Sequence, residues 1–118
     1  MLLRPPVKAF RAPLVTQIAC RSVAHVLRER LRLHPTYKRP NDVLVGGKKI
    51  CGVLVEAQGR SNGILHCLVI GIGLNVNSKL KELVPGATSI IQETGRRQPR
   101  PALLKFLLKR LRKDLQGW

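Results

Sequence analysis

The chain has 118 residues, of which 44% are hydrophobic, so it has room for one domain with a modest core and is neither disordered nor of low complexity. Its 22 Lys and Arg residues outnumber 6 Asp and Glu residues, which gives a formal net charge of +16. Such a charge attracts polyanions but identifies no fold.

The first predicted elements are a short strand and an amphipathic helix. Pro5 and Pro6 are expected to end a strand in "MLLRPP", because proline interrupts a sheet ladder. From residue 13 to residue 33 apolar residues recur at helical spacing, and the turn around Pro35 is expected to follow the helix. The apolar positions are Leu14, Val15, Ile18, Ala19, Val23, Val26, Leu27 and Leu31.

Three apolar runs follow and predict an antiparallel meander. "DVLV" (42–45) meets Gly46-Gly47, a pair typical of a two-residue hairpin, and "KICGVLVEA" (49–57) continues the chain. "QGRSNG" (58–63) is a second turn signal before "ILHCLVIGI" (64–72). The near-continuous apolar character of the last two runs indicates that helices cover one face of the sheet.

The last third of the sequence predicts an irregular loop and two helices. Residues 73–87 form the loop, and Ser89 stands three residues before Gln92 in a capping arrangement that Gly95 closes. Pro101 then opens a helix with leucines on one side and cations on the other. The whole chain, 1–118, is therefore expected to be one α+β domain, an antiparallel sheet meander packed against amphipathic helices.

Two glycine motifs resemble nucleotide-binding loops but fail on context. "GIGLNV" (71–76) lacks the third glycine of a dinucleotide fingerprint and leads into a loop, and "GGKK" (46–49) has Asp42 where a phosphate loop needs glycine. What remains is that Gly71 and Gly73 either let a ligand approach the backbone or serve close packing. Spacing alone does not separate these two explanations.

Several polar residues each have an ordinary structural explanation when taken singly. Asn41 and Asp42 after a proline are typical of a turn cap, and Lys49 of a solvated strand-edge charge. Asn75 and Asn77 are typical of loops. The cysteines Cys20, Cys51 and Cys67 lack a C-x-x-C spacing, which favours buried thiols in a reducing, cytoplasmic compartment. No apolar run reaches the roughly 20 residues of a membrane span, so no membrane partner is expected.

Together these segments resemble the catalytic domain of biotin protein ligases. Three motifs carry the resemblance: "KRPND" (38–42), "GKKICGVLVE" (47–56) and "IGIGLNVN" (70–77). "GATSI" and "ETGR" further along also match, so the resemblance covers nearly the whole chain. It implies part of a class II synthetase-like ligase core that forms biotinyl-5′-AMP from biotin and ATP with Mg²⁺. The product would then biotinylate a lysine on the carrier domain of a biotin-dependent carboxylase.

The resemblance also implies roles for individual residues. Lys49 would act at the biotin carboxylate and the α-phosphate, and Asp42 would help to deprotonate the incoming lysine. The biotin site would comprise Lys49 with Gly52, Val53, Leu54, Gly71 and Gly73, and the nucleotide site Asn41, Asp42 and Asn75. It identifies no metal ligand.

Two departures from the family pattern shape the expectation. Arg39 stands where the family has tryptophan, and the family's Gly-Arg-rich nucleotide loop has no counterpart in the sequence. The expectation is therefore a core that lacks its N-terminal nucleotide-loop portion and makes biotinyl-AMP inefficiently alone. Three alternatives remain: a lipoate ligase or octanoyl transferase relative, a structural partner of another ligase chain, and a basic nucleic-acid-binding module. Scarce aromatics and the absence of a nucleic-acid-binding motif make nucleic acid an unlikely partner.

Overall fold

The computed structural model describes residues 1–3, 13–59 and 65–116. The architecture is α+β, as the sequence predicts. In chain order the elements are β1 Leu2–Leu3, α1 Pro13–Leu31, β2 Pro35–Lys38, β3 Asp42–Val45, β4 Lys48–Gly59, β5 Leu65–Leu74, a 3₁₀ turn Leu80–Glu82, α2 Ile90–Thr94 and α3 Arg100–Asp114. The described strands form one antiparallel sheet in the order β1-β5-β4-β3-β2.

The core lies between one face of the sheet and the two long helices. Alternate residues of β4 and β5 point into it, and α1 and α3 close it from the other side through Leu27 and Leu111, which are fully buried. The opposite face of the sheet is open, since Leu54 of β4 is 61% exposed. The functional residues named by the sequence fall mainly on this open face.

The hairpin between β3 and β4 has the predicted two-residue turn. Gly46 and Gly47 both have positive φ, 58° and 78°, which glycine adopts without a steric penalty. The pairing then shifts, because Leu44 faces Lys49 whereas Val43 faces Cys51. One extra residue, Ile50, thus forms a bulge in β4. This bulge lets Lys49 and Gly52, three positions apart, face the same side of the sheet.

Two boundaries differ from the sequence prediction. Residues 35–38 form β2, an edge strand paired with β3, where a turn was predicted. Proline is tolerated at the first residue of an edge strand, because no neighbour on its free side needs its missing N–H. Helix α1 ends at Leu31 rather than at residue 33, and Arg32 takes a positive φ of 54°. The predicted strand end at Pro5 and Pro6 and most of the second turn lie outside the described residues.

The predicted capping near the second helix is confirmed. The Ser89 hydroxyl accepts a hydrogen bond of 3.2 Å from the backbone N–H of Gln92, and Gly95 ends α2 with a φ of 72°. Helix α3 follows, with Pro101 in its first turn. Among the described helices, none has both the length and the apolar character needed to cross a membrane.

Candidate functional site

An ion pair on the open face of the sheet is the most distinctive polar feature near the predicted site. Lys49 Nζ lies 3.2 Å from Asp42 Oδ1, and the two side chains are 50% and 24% exposed. Asp42 is the first residue of β3, and the bulge at Ile50 turns Lys49 toward it. The two residues that the sequence singled out for chemistry are therefore in direct contact.

Gly52 lies directly beneath the lysine. A Cβ built on Gly52 would stand 3.0 Å from both Cε and Nζ of Lys49, and 3.9 Å from Asp42 Oδ1. A contact of 3.0 Å is tighter than nine in ten real Cβ contacts, so a side chain here would shift the end of the lysine by a few tenths of an ångström. Glycine at position 52 thus leaves room for the end of the Lys49 side chain to lie over the strand.

Gly71 and Gly73 continue this flat surface on the neighbouring strand. In the register of β4 and β5, Gly73 pairs with Gly52 and Gly71 pairs with Leu54. A Cβ at Gly71 or Gly73 would have ordinary contacts of 3.6 and 3.7 Å to the nearest carbonyl oxygen. Close packing within the described chain therefore does not require these two glycines, and the surface they leave bare faces solvent.

Asn41 ties the loop before β3 to β4. Its side-chain Nδ2 donates to the carbonyl oxygen of Val53 at 3.0 Å, and its own carbonyl oxygen accepts from the Val53 N–H at 2.9 Å. The local turn cap that the residue alone suggested is therefore replaced by a link across strands. This link fixes the backbone next to Asp42 against the strand that carries Gly52.

Asn75 and the segment 86–88 hold the other side of the bulge. The Asn75 N–H donates to Ile50 O at 2.9 Å, and Asn75 Nδ2 donates to Thr88 O at 3.0 Å. The backbone of Lys49 is held by the same segment, since Lys49 N–H donates to Gly86 O and Thr88 N–H donates to Lys49 O. In the sequence, "GATSI" is recognisable as a family match, but nothing local in it indicates this positioning role.

Val53 and Leu54 are separated by strand alternation. The side chain of Val53 is 1% exposed and belongs to the core, whereas that of Leu54 stands on the open face. Both residues were expected in the biotin site, but of the two side chains only that of Leu54 lies on the open face, because successive residues of a strand point to opposite faces. Asn77 is likewise structural, because its amide exchanges two hydrogen bonds of 2.9 Å with the backbone of Gln98. Arg39 is exposed.

Two buried thiols lie behind the site. Burial raises the pKa of Cys51 to about 12, with a further increase from Cys20 that the ammonium of Lys49 opposes. Burial, and secondarily the negative charge of Asp42, raises the pKa of Cys20 to about 11. Both thiols are thus protonated at neutral pH and are not nucleophiles, because the thiolate is the reactive form.

Comparison with known proteins places the chain in a family. Residues 1–75 match the model of the biotin/lipoate A/B protein ligase family. The chain is similar to the bifunctional ligase/repressor BirA of Bacillus subtilis, with 32% identity over 112 residues that cover 92% of this chain and 34% of that protein. It spans about a third of the length of the curated BirA relatives it matches.

Solved structures show the same relationship. The biotin protein ligase of Aquifex aeolicus superposes with a TM-score of 0.79 and 31% identity over 98% of this chain and 51% of that chain. The same ligase in complex with biotin and ATP superposes with a TM-score of 0.73 and 31% identity, over 88% of this chain and 43% of that chain. With three motifs, the fold and the family model in agreement, the chain belongs to the biotin/lipoate A/B protein ligase family.

Proposed function

We propose that this chain carries part of a biotin protein ligase site, which forms biotinyl-5′-AMP from biotin and ATP and transfers biotin to a lysine of a carrier protein. The observation that carries the proposal is the Lys49 ammonium lying over Gly52, 3.2 Å from Asp42, on a glycine-lined open face. Family membership supports the reaction class, and the Aquifex ligase solved with biotin and ATP supports the ligands.

In the first step, a carboxylate oxygen of biotin attacks the α-phosphorus of ATP, and the bond to the pyrophosphate oxygen breaks. Two anions must approach each other, so a cation at the point of attack lowers the barrier. Lys49 suits this role because it is half exposed and supplies a point charge on a flexible stem. Exchange of Asp42 for a ligand oxygen costs little, since exposed ion pairs contribute only about 0–1 kcal/mol.

In the second step, the ε-amine of the carrier lysine attacks the acyl carbon, and AMP leaves. The amine must first lose a proton, since its pKa is about 10.4 in free form. Asp42 would accept that proton once Lys49 is engaged by the ligand, which is a general-base role, and its 3.2 Å contact with Lys49 supports this.

The remaining residues would bind rather than react. Gly52, Gly71 and Gly73 would form the floor beneath biotin, and Leu54 would provide an apolar wall. The amide groups of Asn41 and Asn75 suit the adenylate. Val53 would act only through its backbone carbonyl, which orients Asn41.

Mg²⁺ would enter with ATP as part of the substrate. Its preferred ligands are phosphate oxygens, waters and one or two carboxylates. The described residues contain no cluster of three His, Cys, Asp or Glu side chains that could hold a metal ion by themselves. Asp42 is the carboxylate nearest to the proposed reaction, so it is the side chain that such an ion would approach.

Binding of a non-hydrolysable biotinyl-5′-AMP analogue, measured by calorimetry, tests the proposal without depending on turnover. Lys49→Ala should weaken binding by about tenfold to a hundredfold, because charge-assisted hydrogen bonds contribute about 1.5–3 kcal/mol. Lys48→Ala, which removes the same charge from the adjacent residue of the hairpin, is the matched control and should bind like the original chain.

Two results would contradict the proposal. If the Lys49→Ala variant and the original chain bound the analogue with equal affinity, Lys49 would have no role in binding and the proposal would lose its central residue. Tighter binding of a lipoyl-AMP analogue than of the biotinyl analogue would instead assign the site to lipoate ligation within the same family.

A further inference from the structure

The outer surface of the two long helices carries a concentration of positive charge. Two neighbouring concavities lie along the contact between α1 and α3, and they share His25 and Arg110. The larger has a volume of about 490 Å³. We call this surface the cationic seam; its cations are Arg21, Arg28, Arg30, Lys109, Arg110 and Lys113.

Most of this charge is not neutralised within the protein. The seam contains two carboxylates, Glu29 and Asp114, and Asp114 is already engaged by Arg110 at 2.9 Å and by the Ser22 hydroxyl at 2.7 Å. The ion pairs of the described residues are Lys49–Asp42 and Arg110–Asp114. In that part of the chain the other five cations of the seam therefore have no carboxylate within ion-pair distance.

The seam also presents a flat stacked surface. The guanidinium of Arg30 lies 3.7 Å from the centroid of the Phe106 ring, and Phe106 is 36% exposed. Nucleobases stack on aromatic rings and on guanidinium planes. Such a pair beside several cations offers a base a partner that a carboxylate ligand would not use.

We propose that the cationic seam binds the sugar–phosphate backbone of a nucleic acid strand. Four of its six cations are arginines, whose planar fork matches a phosphate with two parallel hydrogen bonds. The concave shape favours a strand over a flat membrane surface, and the Arg30–Phe106 pair favours a nucleic acid over an acidic peptide.

The seam and the proposed ligase site are on opposite sides of the molecule. Helices α1 and α3 cover one face of the sheet, whereas Lys49, Gly52 and Gly73 face the other. Binding at the seam thus leaves the open face accessible. It also modifies the sequence-based expectation about nucleic acid, because cations that are dispersed along the chain meet on one surface.

Fluorescence anisotropy of a labelled single-stranded oligonucleotide of about 20 nucleotides, titrated at several salt concentrations, tests the proposal. Lys109→Gln with Lys113→Gln removes two seam cations without placing an acid at the end of α3. Each phosphate contact contributes about 0.7 to the slope of log K against log salt for a single strand, so the slope should fall by about 1.4. The affinity at low salt should fall about tenfold or more.

Lys48→Gln with Lys81→Gln is the matched control, since it removes the same charge from exposed residues away from α1 and α3. This pair should change affinity less than threefold. Phe106→Leu should weaken binding of the oligonucleotide and leave binding of inorganic polyphosphate unchanged. Thermal unfolding of each variant checks that the fold is retained.

Four outcomes would overturn the proposal. Equal losses of oligonucleotide affinity in the two Lys→Gln pairs would show that only net charge attracts the strand. No measurable binding of the oligonucleotide to the original chain at low salt would show that the seam does not bind nucleic acid. Equal competition by polyglutamate would assign the seam to acidic proteins, and capture by anionic phosphatidylserine vesicles without oligonucleotide binding would assign it to membranes. Binding of the biotinyl-AMP analogue should be unchanged by Lys109→Gln with Lys113→Gln. Failure of the nucleic-acid proposal would therefore leave the ligase proposal intact.

Discussion

The open face around Lys49 and the cationic seam both carry cationic side chains, yet these are held in different ways. On the open face one ammonium is held 3.2 Å from one carboxylate, above a glycine that leaves room for it. On the seam several long cations surround two concavities, and most of them have no ion-pair partner in the described chain. Net charge alone therefore does not locate a function; the constraints around each charge do.

The difference predicts different sensitivities. The backbone at Lys49 is fixed by hydrogen bonds to Gly86 and Thr88, so moving a single atom there should matter. Arginine and lysine side chains on a helix surface are adaptable, so the seam should respond to the number of charges rather than to their exact positions. Three substitutions and one change of pH test whether the two regions differ in this way.

The largest effect is expected from Leu27→Ala, because Leu27 is fully buried on α1 between the sheet and the seam. Deletion of a buried leucine side chain costs about 2–5 kcal/mol, so the free energy of unfolding in urea should fall by this amount. Leu104→Ala, at a half-exposed position of α3, is the control and should cost less. Two separate unfolding transitions would show that the seam and the open face do not share one core.

A second effect should appear at high pH through the buried thiols. The pKa values of Cys20 and Cys51, about 11 and about 12, are raised above the ordinary 9.0, so the folded chain keeps protons that the unfolded chain loses. This contribution is complete below pH 9 and is lost as pH rises above it. Between pH 8.5 and 10.5 stability should fall by on the order of 1–3 kcal/mol.

Urea unfolding at several pH values measures that slope, and the double variant Cys20→Ala with Cys51→Ala supplies the reference. Its stability should decline less steeply, although its starting value is lower. Parallel pH dependence of the two chains would assign the decline to other groups.

A third prediction separates the ligand surface from packing. Gly73→Ala should leave thermal unfolding unchanged or slightly higher, because its Cβ would meet the Gly52 carbonyl oxygen at an ordinary 3.7 Å. The substitution should weaken binding of the biotinyl-AMP analogue by about 1–3 kcal/mol, the usual cost of inserting a methyl group into a filled site. Loss of stability with unchanged affinity would return the glycine to a packing role.

The smallest effect is expected from Asn41→Ala, which removes a 3.0 Å hydrogen bond to Val53 O. Unfolding free energy should fall by about 1 kcal/mol, the typical net value of such a bond, and analogue affinity should fall with it. Oligonucleotide binding at the seam should be unchanged. A change in affinity without any change in stability would indicate that Asn41 contacts only ligand.

The elements that could be predicted from the sequence are those with local signals. Helical spacing from Pro13 onward, the Gly46-Gly47 turn and the cap at Ser89 each depend on residues within one or two turns of chain, and all appear as predicted. The motifs that carry the family resemblance are also continuous stretches. β2 was missed because four residues beginning with a proline form a strand only when β3 is beside them.

Which side chains share a surface could not be predicted in this way, because it depends on strand register and on the packing of distant elements. The bulge at Ile50 turns Lys49 toward Asp42 and Gly52. Strand alternation directs the side chain of Val53 into the core, although the sequence had predicted it in the biotin site with Leu54. The seam depends on two helices about 80 residues apart in sequence, whose cations become neighbours only when both pack on the same sheet. Local propensity depends on nearby residues, whereas strand register and packing bring distant residues together. Charged side chains form a binding site only when register and packing make them neighbours.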